Sequence, residues 1–496
     1  MAEHIIDSIF LFLPEITLTL TLVAAVLADL VLKERNRMVA WVVFAGLLVT
    51  GVFVLRQCGL NESIFSDMIA VDPFSVFFKG LLTIAGLFIV LFSVVSKELE
   101  QNGRRIGEYY MLLTGVLLGM FLMAGATNVL MMYLAFELTS ISSYVLSGFT
   151  KNLRKSAEAS MKYIIYGSVS SGFLLYGLTL LIGITGSTDI YGIRDALQSS
   201  VGHDAVLYLS VMMILVGFSY KITVLPFHFW APDVYEGAPT PITTFLATAS
   251  KIAGFALLMR FFRISFVDGG ITDFAGYEGI IAVIPWNIIV AILATLTMVG
   301  ANLMALWQDN IKRLLAYSSI SHAGFILMGL VLLNDEGMAA MMVYLAIYLV
   351  MNMGAFFIAM IISDRLHTER ISDYQGLGRS SPFLGVSMAI FLVALAGFPP
   401  TAGFIAKIFI FGAVIHAGWI WLVVVAGFST VISLFYYIRV VKNMFLSEPP
   451  DSMKPIETSR GVMAVVIMLL IPVFVFGIWF SPLLSWARDA VVLFGL

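Results

Sequence analysis

The chain has 496 residues, 60% of them hydrophobic and only 12% charged, with a net charge of −3 and one cysteine, Cys58. Soluble domains carry about 25% charged residues, so this is the composition of a polytopic membrane protein surrounded by lipid, with no room for a sizeable soluble domain. The charge argues against a nucleic-acid partner, the lone cysteine against a disulfide, a thiol zinc site or iron–sulfur ligation by this chain alone, and neither a glycine-rich nucleotide loop nor an HExxH zinc motif occurs. The first residues, MAEHIIDSIF, lack the basic start expected of a cleaved signal peptide.

Windows of about 20 apolar residues, the length that crosses a bilayer, fall near 9–31, 38–56, 72–95, 108–124, 127–149, 160–183, 205–231, 240–263, 281–306, 314–333, 338–362, 383–412, 416–446 and 460–484. The expected fold is all-α, a bundle of about fourteen transmembrane helices. The long windows 383–412 and 416–446 call for tilt, a break or an overhang. Alternate loops divide the basic residues unequally. One set holds eighteen: Lys33, Arg35, Arg37, Lys97, Arg104, Arg105, Lys151, Arg154, Lys155, Lys312, Arg313, Arg365, Arg370, Arg379, Arg439, Lys442, Lys454 and Arg460. The other holds five: Arg56, Arg194, Arg260, Arg263 and Arg488. By the positive-inside rule both termini lie outside. The remaining five, Lys79, Lys162, Lys221, Lys251 and Lys407, fall inside windows.

The densest chemistry lies in residues 217–251, GFSYKITVLPFHFWAPDVYEGAPTPITTFLATASK. A charged side chain at the bilayer centre costs about 2.5–3.5 kcal/mol on insertion scales, so such residues face a protein interior or a watery path. Lys221 and His228 are two helical turns apart, about 10 Å. Pro226 between them cannot donate to the helical ladder, and broken helix at membrane depth is tolerated only in protein or beside a cavity. Pro232, Gly237, Pro239 and Pro241 then predict a turn-rich loop before a helix that carries Lys251. A second break is predicted at LAGFPPTAGFIAK, where Pro399 and Pro400 precede Lys407. The breaks are five helices apart, an odd spacing that reverses orientation and points to inverted repeats.

Polar stripes recur at helical spacing: Glu137, Ser140, Ser143, Tyr144 and Ser147; Thr244, Thr248 and Lys251; Ser318, Ser321 and His322; Tyr344, Tyr348 and Asn352. Lipid offers them no hydrogen bonds, so the stripes should face one another. Burial favours a neutral lysine and a nearby carboxylate a charged one, so a lysine whose carboxylate can move is a switchable proton site. Plainer readings exist. Glu137 and Lys221 could pin two helices, His322 could be a hydrogen-bonding group only, Lys162 could snorkel from its helix start, and Lys79 is expected to be a snorkelling or a structural residue.

KITVLPFHFWAPDVYEGAPTPITTFLATASK, MMYLAFELTSISSYVLSGF, AYSSISHAGF and LAGFPPTAGFIAK together resemble the antiporter-like membrane subunits of respiratory complex I, which are related to subunits of multisubunit Na⁺/H⁺ antiporters. The resemblance covers nearly the whole chain. Within that family the length, the early LPEI and VDPFSVFFK stretches and Lys407 in the twelfth helix are similar to the subunit N branch. It implies two inverted five-helix units with two broken helices, dividing the chain into an N-terminal three-helix segment (1–107), a first antiporter-like half (108–263), a second (280–446) and a C-terminal loop with the last helix (447–496). It implies that Glu137 and Lys221 interact in the first half-channel with Lys162 nearby, that Lys251 is central, that Lys407 is the outlet site, and that His228 and His322 link them. FMN, iron–sulfur clusters and quinone would belong to partner subunits, with no cofactor or metal in this chain. A subunit of a cation/proton antiporter remains the alternative.

Overall fold

The computed structural model describes residues 2–32, 36–100, 106–199, 204–267, 284–450 and 455–495. Lys33, Arg35, Arg104, Arg105, Lys454 and the start of the ninth window, 281–283, lie outside the described residues.

The chain opens with α1 (Ala2–Leu11), α2 (Leu13–Leu32) and α3 (Asn36–Arg56). A short antiparallel hairpin follows, β1 (Glu62–Ile64) and β2 (Ile69–Val71), with Ser63 opposite Ala70. Strands of three residues are too short for periodicity to reveal, and they are the one departure from an all-helical chain among the described residues. α4 (Pro73–Val95) starts at a capping box, the Asp72 carboxylate accepting from the Ser75 amide and the Ser75 hydroxyl from the Asp72 amide. Pro73 at its first position loses nothing, because that amide has no helical partner anyway. α5 (Lys97–Glu100), α6 (Ile106–Gly125), α7 (Val129–Ser147, capped by Asn128), α8 (Arg154–Thr185) and α9 (Ile190–Ser199) follow. α8 stops at Gly186, whose φ of 69° only glycine adopts without cost.

The seventh window, 205–231, is not one helix. α10 (Asp204–Lys221) ends at its lysine, residues 222–229 are irregular around Pro226, and α11 (Trp230–Gly237) resumes. The loop expected over Pro232–Pro241 shrinks to Ala238 and Pro239. Pro232 lies in the first turn of α11 and Pro241 in that of α12 (Thr240–Phe245), positions where proline costs no hydrogen bond. A π-helical turn, Leu246–Ser250, joins α12 to α13 (Lys251–Phe266). Then come α14 (Trp286–Ala305), α15 (Ile311–Leu330, capped by Asn310) and α16 (Asp335–Leu366, capped by Asn334). A 3-10 turn (Ile371–Tyr374) and α17 (Leu377–Ser380) lead to the second break. α18 (Pro382–Ala396) stops at Gly397 (φ 84°), and α19 (Ala402–His416) begins beyond Pro399 and Pro400. α20 (Ile420–Leu446), α21 (Arg460–Ile478) and α22 (Ser481–Asp489) complete the chain.

Among the described residues twelve helices are long and apolar enough to cross a membrane. The tenth window holds α15, and the twelfth is divided between α18 and α19. The span Thr240–Phe266 is wholly buried and α16 nearly so, while only 28% of α2 and of α21 is buried. The first two are therefore the buried axis of the bundle. Close approach of α14 and α15 depends on Gly324, where a methyl group would sit 2.8 Å from the Met298 nitrogen and 3.0 Å from the Ala294 oxygen.

Two cations, Arg260 and Lys312, depart from the expectations above, and a third, Lys79, takes the structural one of its two readings. Lys79 does not snorkel: it is fully buried, its Nζ 2.7 Å from Glu15 on α2. A carboxylate in reach is worth more to it than a distant membrane surface. Arg260, counted as a loop residue, is a fully buried residue of α13 and grips both oxygens of Asp72 at 2.8 and 2.7 Å. Lys312, also counted in a loop, is buried in the first turn of α15, 3.0 Å from Glu369.

Candidate functional site

The last turn of α10 carries Lys221 into the interior, where 2% of it is exposed. Its Nζ donates to the Ser140 hydroxyl of α7 at 3.2 Å and lies 5.1 Å from the centre of the Phe136 ring. Glu137, one residue from Phe136, is half-buried and accepts a hydrogen bond from Ser171 of α8. Tyr133, one turn earlier, shares Ser171 at 3.2 Å. Glu137 and Lys221 are therefore brought to the same face of α7 without touching: no ion pair joins them, and Ser140 stands one turn from the carboxylate. His228 lies buried in the break, its Nδ1 without a hydrogen-bond partner among the described groups.

Lys251 directly follows the π-helical turn and is 1% exposed. Its Nζ donates to the Ser319 carbonyl at 2.8 Å and to the Ser319 hydroxyl at 2.6 Å. The Tyr348 hydroxyl of α16 is 2.8 Å from both the Ala247 carbonyl and the Ser319 hydroxyl, and Asn352 donates to it at 2.9 Å. The next residue in the row is His322 of α15. Its Nδ1 is 2.8 Å from the Tyr344 hydroxyl and its Nε2 3.5 Å from that of Tyr437, which also bonds Ser318. Lys407 of α19 turns back to the break, its Nζ donating to the Ala396 carbonyl at the end of α18 at 2.8 Å and to Thr430 of α20 at 3.2 Å. The Phe325 ring, 4.8 Å away, connects its surroundings to α15. At Lys407 the helix break itself supplies the acceptor, because the unpaired carbonyls at a helix end are strong acceptors.

A profile of the family described as NADH:quinone oxidoreductase/Mrp antiporter, transmembrane, matches residues 126–433. The chain is 43% identical to NADH-quinone oxidoreductase subunit N 2 of Chloroherpeton thalassium over 98% of its length and 94% of that protein's. It is 39% identical to subunit N of Chlorobium chlorochromatii over 99% and 96%. The chain belongs to the NADH-quinone oxidoreductase subunit N family. A chain of respiratory complex I from Thermus thermophilus superposes with a TM-score of 0.78 at 29% identity, covering 96% of this chain and 99% of that one. The fold is shared with the Mrp complex from Dietzia sp., at a TM-score of 0.80 and 19% identity over 99% and 97%.

In this subunit N family member the row Lys221, Lys251, His322, Lys407 is the set of expected residues that the interior gathers. Lys162 stands apart. It is partly exposed near the start of α8 and pairs with Glu158 at 2.7 Å and Asp233 at 2.6 Å. Ser171, which binds Glu137, is nine residues further along α8, about 13 Å. Asp233 also receives Arg313, which reaches Glu236, so Lys162 is part of an ion-pair network binding α8, α11 and α15. Sequence reasoning passed over Ser319, Ser171, Thr430 and Tyr437. Ser319 sits beside the polar stripe of α15, and nothing local distinguishes it from Ser318 or Ser321; its partner is 68 residues away.

Proposed function

We propose that this chain is the proton-translocating subunit N of a bacterial NADH-quinone oxidoreductase, in the inner (plasma) membrane with both termini on the periplasmic side. Other membrane subunits of the complex are its partners. FMN, iron–sulfur clusters and quinone reside in partner subunits, and this chain does no redox chemistry. Its four segments, 1–107, 108–263, 280–446 and 447–496, include two inverted five-helix units, each with one broken helix.

The carrying observation is a contrast among buried cations. Of six buried lysines and arginines among the described residues, Lys79, Arg260 and Lys312 each hold a carboxylate within 3.0 Å. Lys221, Lys251 and Lys407 hold none, and bind only hydroxyls, carbonyls and ring faces. A paired buried charge pins helices. An unpaired buried amine can give up its proton and regain it when a charge nearby moves. Glu137 loads Lys221 by approaching it, and Ser140 and Ser171 hold the two groups in the separated state. Lys251 is the central carrier, His322 and its tyrosines connect it to Lys407, and Lys407 releases towards the outside. His228 lines the break beside Lys221, and Lys162 positions α11.

The test is NADH-driven proton pumping in membranes whose subunit carries Lys251→Ala, with assembly checked on native gels. Unchanged pumping per NADH in assembled complex would remove Lys251 from the path. A cation/proton antiporter subunit, the alternative that the shared family description keeps open, would show itself differently. Deleting the chain would then impair growth under sodium or alkaline stress and leave NADH-driven pumping intact.

A further inference from the structure

The axial span Thr240–Phe266 begins without a cap of its own. The first amides of a helix have no partner inside it, and a Ser, Thr, Asp or Asn just before the first turn commonly supplies one. Here that place is taken by Pro239, which offers no side-chain acceptor. The acceptor comes from 142 positions away: Oε2 of Glu98, on α5, accepts from the Thr240 amide at 3.4 Å. A carboxylate at this end also meets the positive pole of the helix dipole. On the other side of the same link, Lys312 donates at 3.0 Å to the carbonyl of Ala238, the residue that ends α11. An anion thus sits where α12 starts and a cation where α11 stops.

Glu98 and Lys312 both line a cavity of about 850 Å³. Five carboxylates and five lysine or arginine side chains surround it, together with His367, so it is polar and roomy enough to hold water. Most of these charges are committed to one another. Lys312 holds Glu369 at 3.0 Å. Lys97, next to Glu98, binds Asp364 of α16, its amide donating to the carboxylate at 3.0 Å and its ammonium to the carbonyl at 3.4 Å. Glu236 of α11 holds Lys155 of α8 at 2.7 Å and Arg313 at 3.0 Å. Arg154 of α8, Asp309 before α15 and Arg370 after α16 complete the set. Burial holds the Glu98 carboxyl above its ordinary value, against the pull of Lys312 and the Thr240 amide and with the help of Glu369 and Asp364.

Resting on the function proposed above, we infer that Glu98 is a positioning residue for Lys251: its carboxylate caps the axial span, and a proton taken from the cavity loosens that cap. Hydrogen bonds to an ionised acceptor are roughly twice as strong as neutral ones. Protonation therefore weakens the hold on the Thr240 amide and removes the charge that the helix end favours. The step balances on one oxygen: hydronium in the cavity gives up a proton and becomes water, and the carboxylate becomes a neutral acid. Lys312 and the chain itself keep the link in place, so what loosens is the first turn of the span. That turn is joined to the central lysine by hydrogen bonds. Thr244 donates to the Thr240 carbonyl at 2.8 Å, Thr248 to the Thr244 carbonyl at 2.7 Å, and the Lys251 amide to the Thr248 carbonyl. Taking up a proton on the cavity side and shifting the central lysine become one event.

The experiment measures protons pumped per NADH oxidised by the whole complex in sealed inside-out vesicles while the external pH is varied. It compares Glu98→Gln, Glu98→Asp, Glu100→Gln and Lys251→Ala with the unaltered complex, in which the ratio should fall as external pH rises and residue 98 stays unloaded. Glutamine keeps an acceptor for the Thr240 amide but cannot take up the proton. Glu98→Gln should assemble, oxidise NADH with an artificial acceptor as before, pump several-fold less, and lose the part of the pH dependence that Glu98→Asp keeps. His367 and the other wall groups are present in both variants, so that difference belongs to residue 98. Glu100, exposed and 3.8 Å from Arg37, is the control, and Glu100→Gln should pump normally. Normal pumping by Glu98→Gln beside an impaired Lys251→Ala overturns this role and leaves the proposed function standing; normal pumping by Lys251→Ala overturns both. Equal pH profiles for the Asp and Gln variants, or failure of Glu98→Gln to assemble, make the carboxylate a brace only and overturn the role as well.

Discussion

Lys251 makes both of its hydrogen bonds to one serine and has no carboxylate to hold its charge. Moving a unit charge through 100 mV costs about 2.3 kcal/mol, and one pKa unit is worth about 1.4 kcal/mol. A change of a few units in the affinity of such an amine for its proton is thus comparable with the work of pumping. Lys251→Arg should therefore impair pumping as Lys251→Ala does, because a guanidinium stays protonated at any working pH; vesicle acidification driven by NADH measures it. Glu137→Gln should depress the same signal while NADH oxidation by an artificial acceptor is retained, and equal loss of both would signify failed assembly. These lysines were legible in the sequence because charge in an apolar window is conspicuous. Their acceptors were not, since Ser140, Ser319 and Thr430 are ordinary residues of polar stripes until the fold sets them beside an ammonium.

Helix α4 shows what the other buried charges do. Asp72 caps it and Lys79, two turns on, is inside it. Through them the helix is fastened to α13 by Arg260 and to α2 by Glu15. Asp72 also accepts from the Phe494 amide, which draws the chain's last residues onto the same point. Removing one partner of a buried pair costs about 3–5 kcal/mol, whereas replacing both by apolar residues is often neutral. Lys79→Met should therefore lower the thermal unfolding temperature of the purified complex, and Lys79→Met with Glu15→Leu should restore most of it. Burial opposes the charge on Asp72, yet the Arg260 guanidinium and the Phe494 and Ser75 amides hold its carboxyl below the usual range. A lowered folded value means that this stabilisation is present above the unfolded pKa, about 3.9, and is lost as pH falls through the folded one. Hydropathy located the helices and proline located both breaks. It could not pair Asp72 with a residue 188 positions away, and Arg260, three residues from the end of its window, is counted with the flanking loop although α13 runs on to Phe266. The π-helical turn has no signature in LATAS at all.

For the whole molecule, the proposed orientation has a direct check. Cys58 is the sole cysteine and is exposed, in the connection between α3 and β1. A membrane-impermeant maleimide should label it from the periplasmic side of intact cells stripped of their outer membrane, and not from inside-out vesicles. Labelling only in inside-out vesicles would invert the topology. The axis raises a different matter, that of torsion. Both ends of the Thr240–Phe266 span are fixed, one by the α11 connection and the other by the Arg260–Asp72 grip, so it cannot slide. A π-helical turn nevertheless contains one residue more than the helix around it needs. Migrating by one position along a helix, such a surplus swings the side chains it passes through about 100°. Lys251 is the first residue beyond it. A π-turn displaced by one position towards it would therefore swing its amine away from Ser319, like a crank on a shaft whose ends stay still.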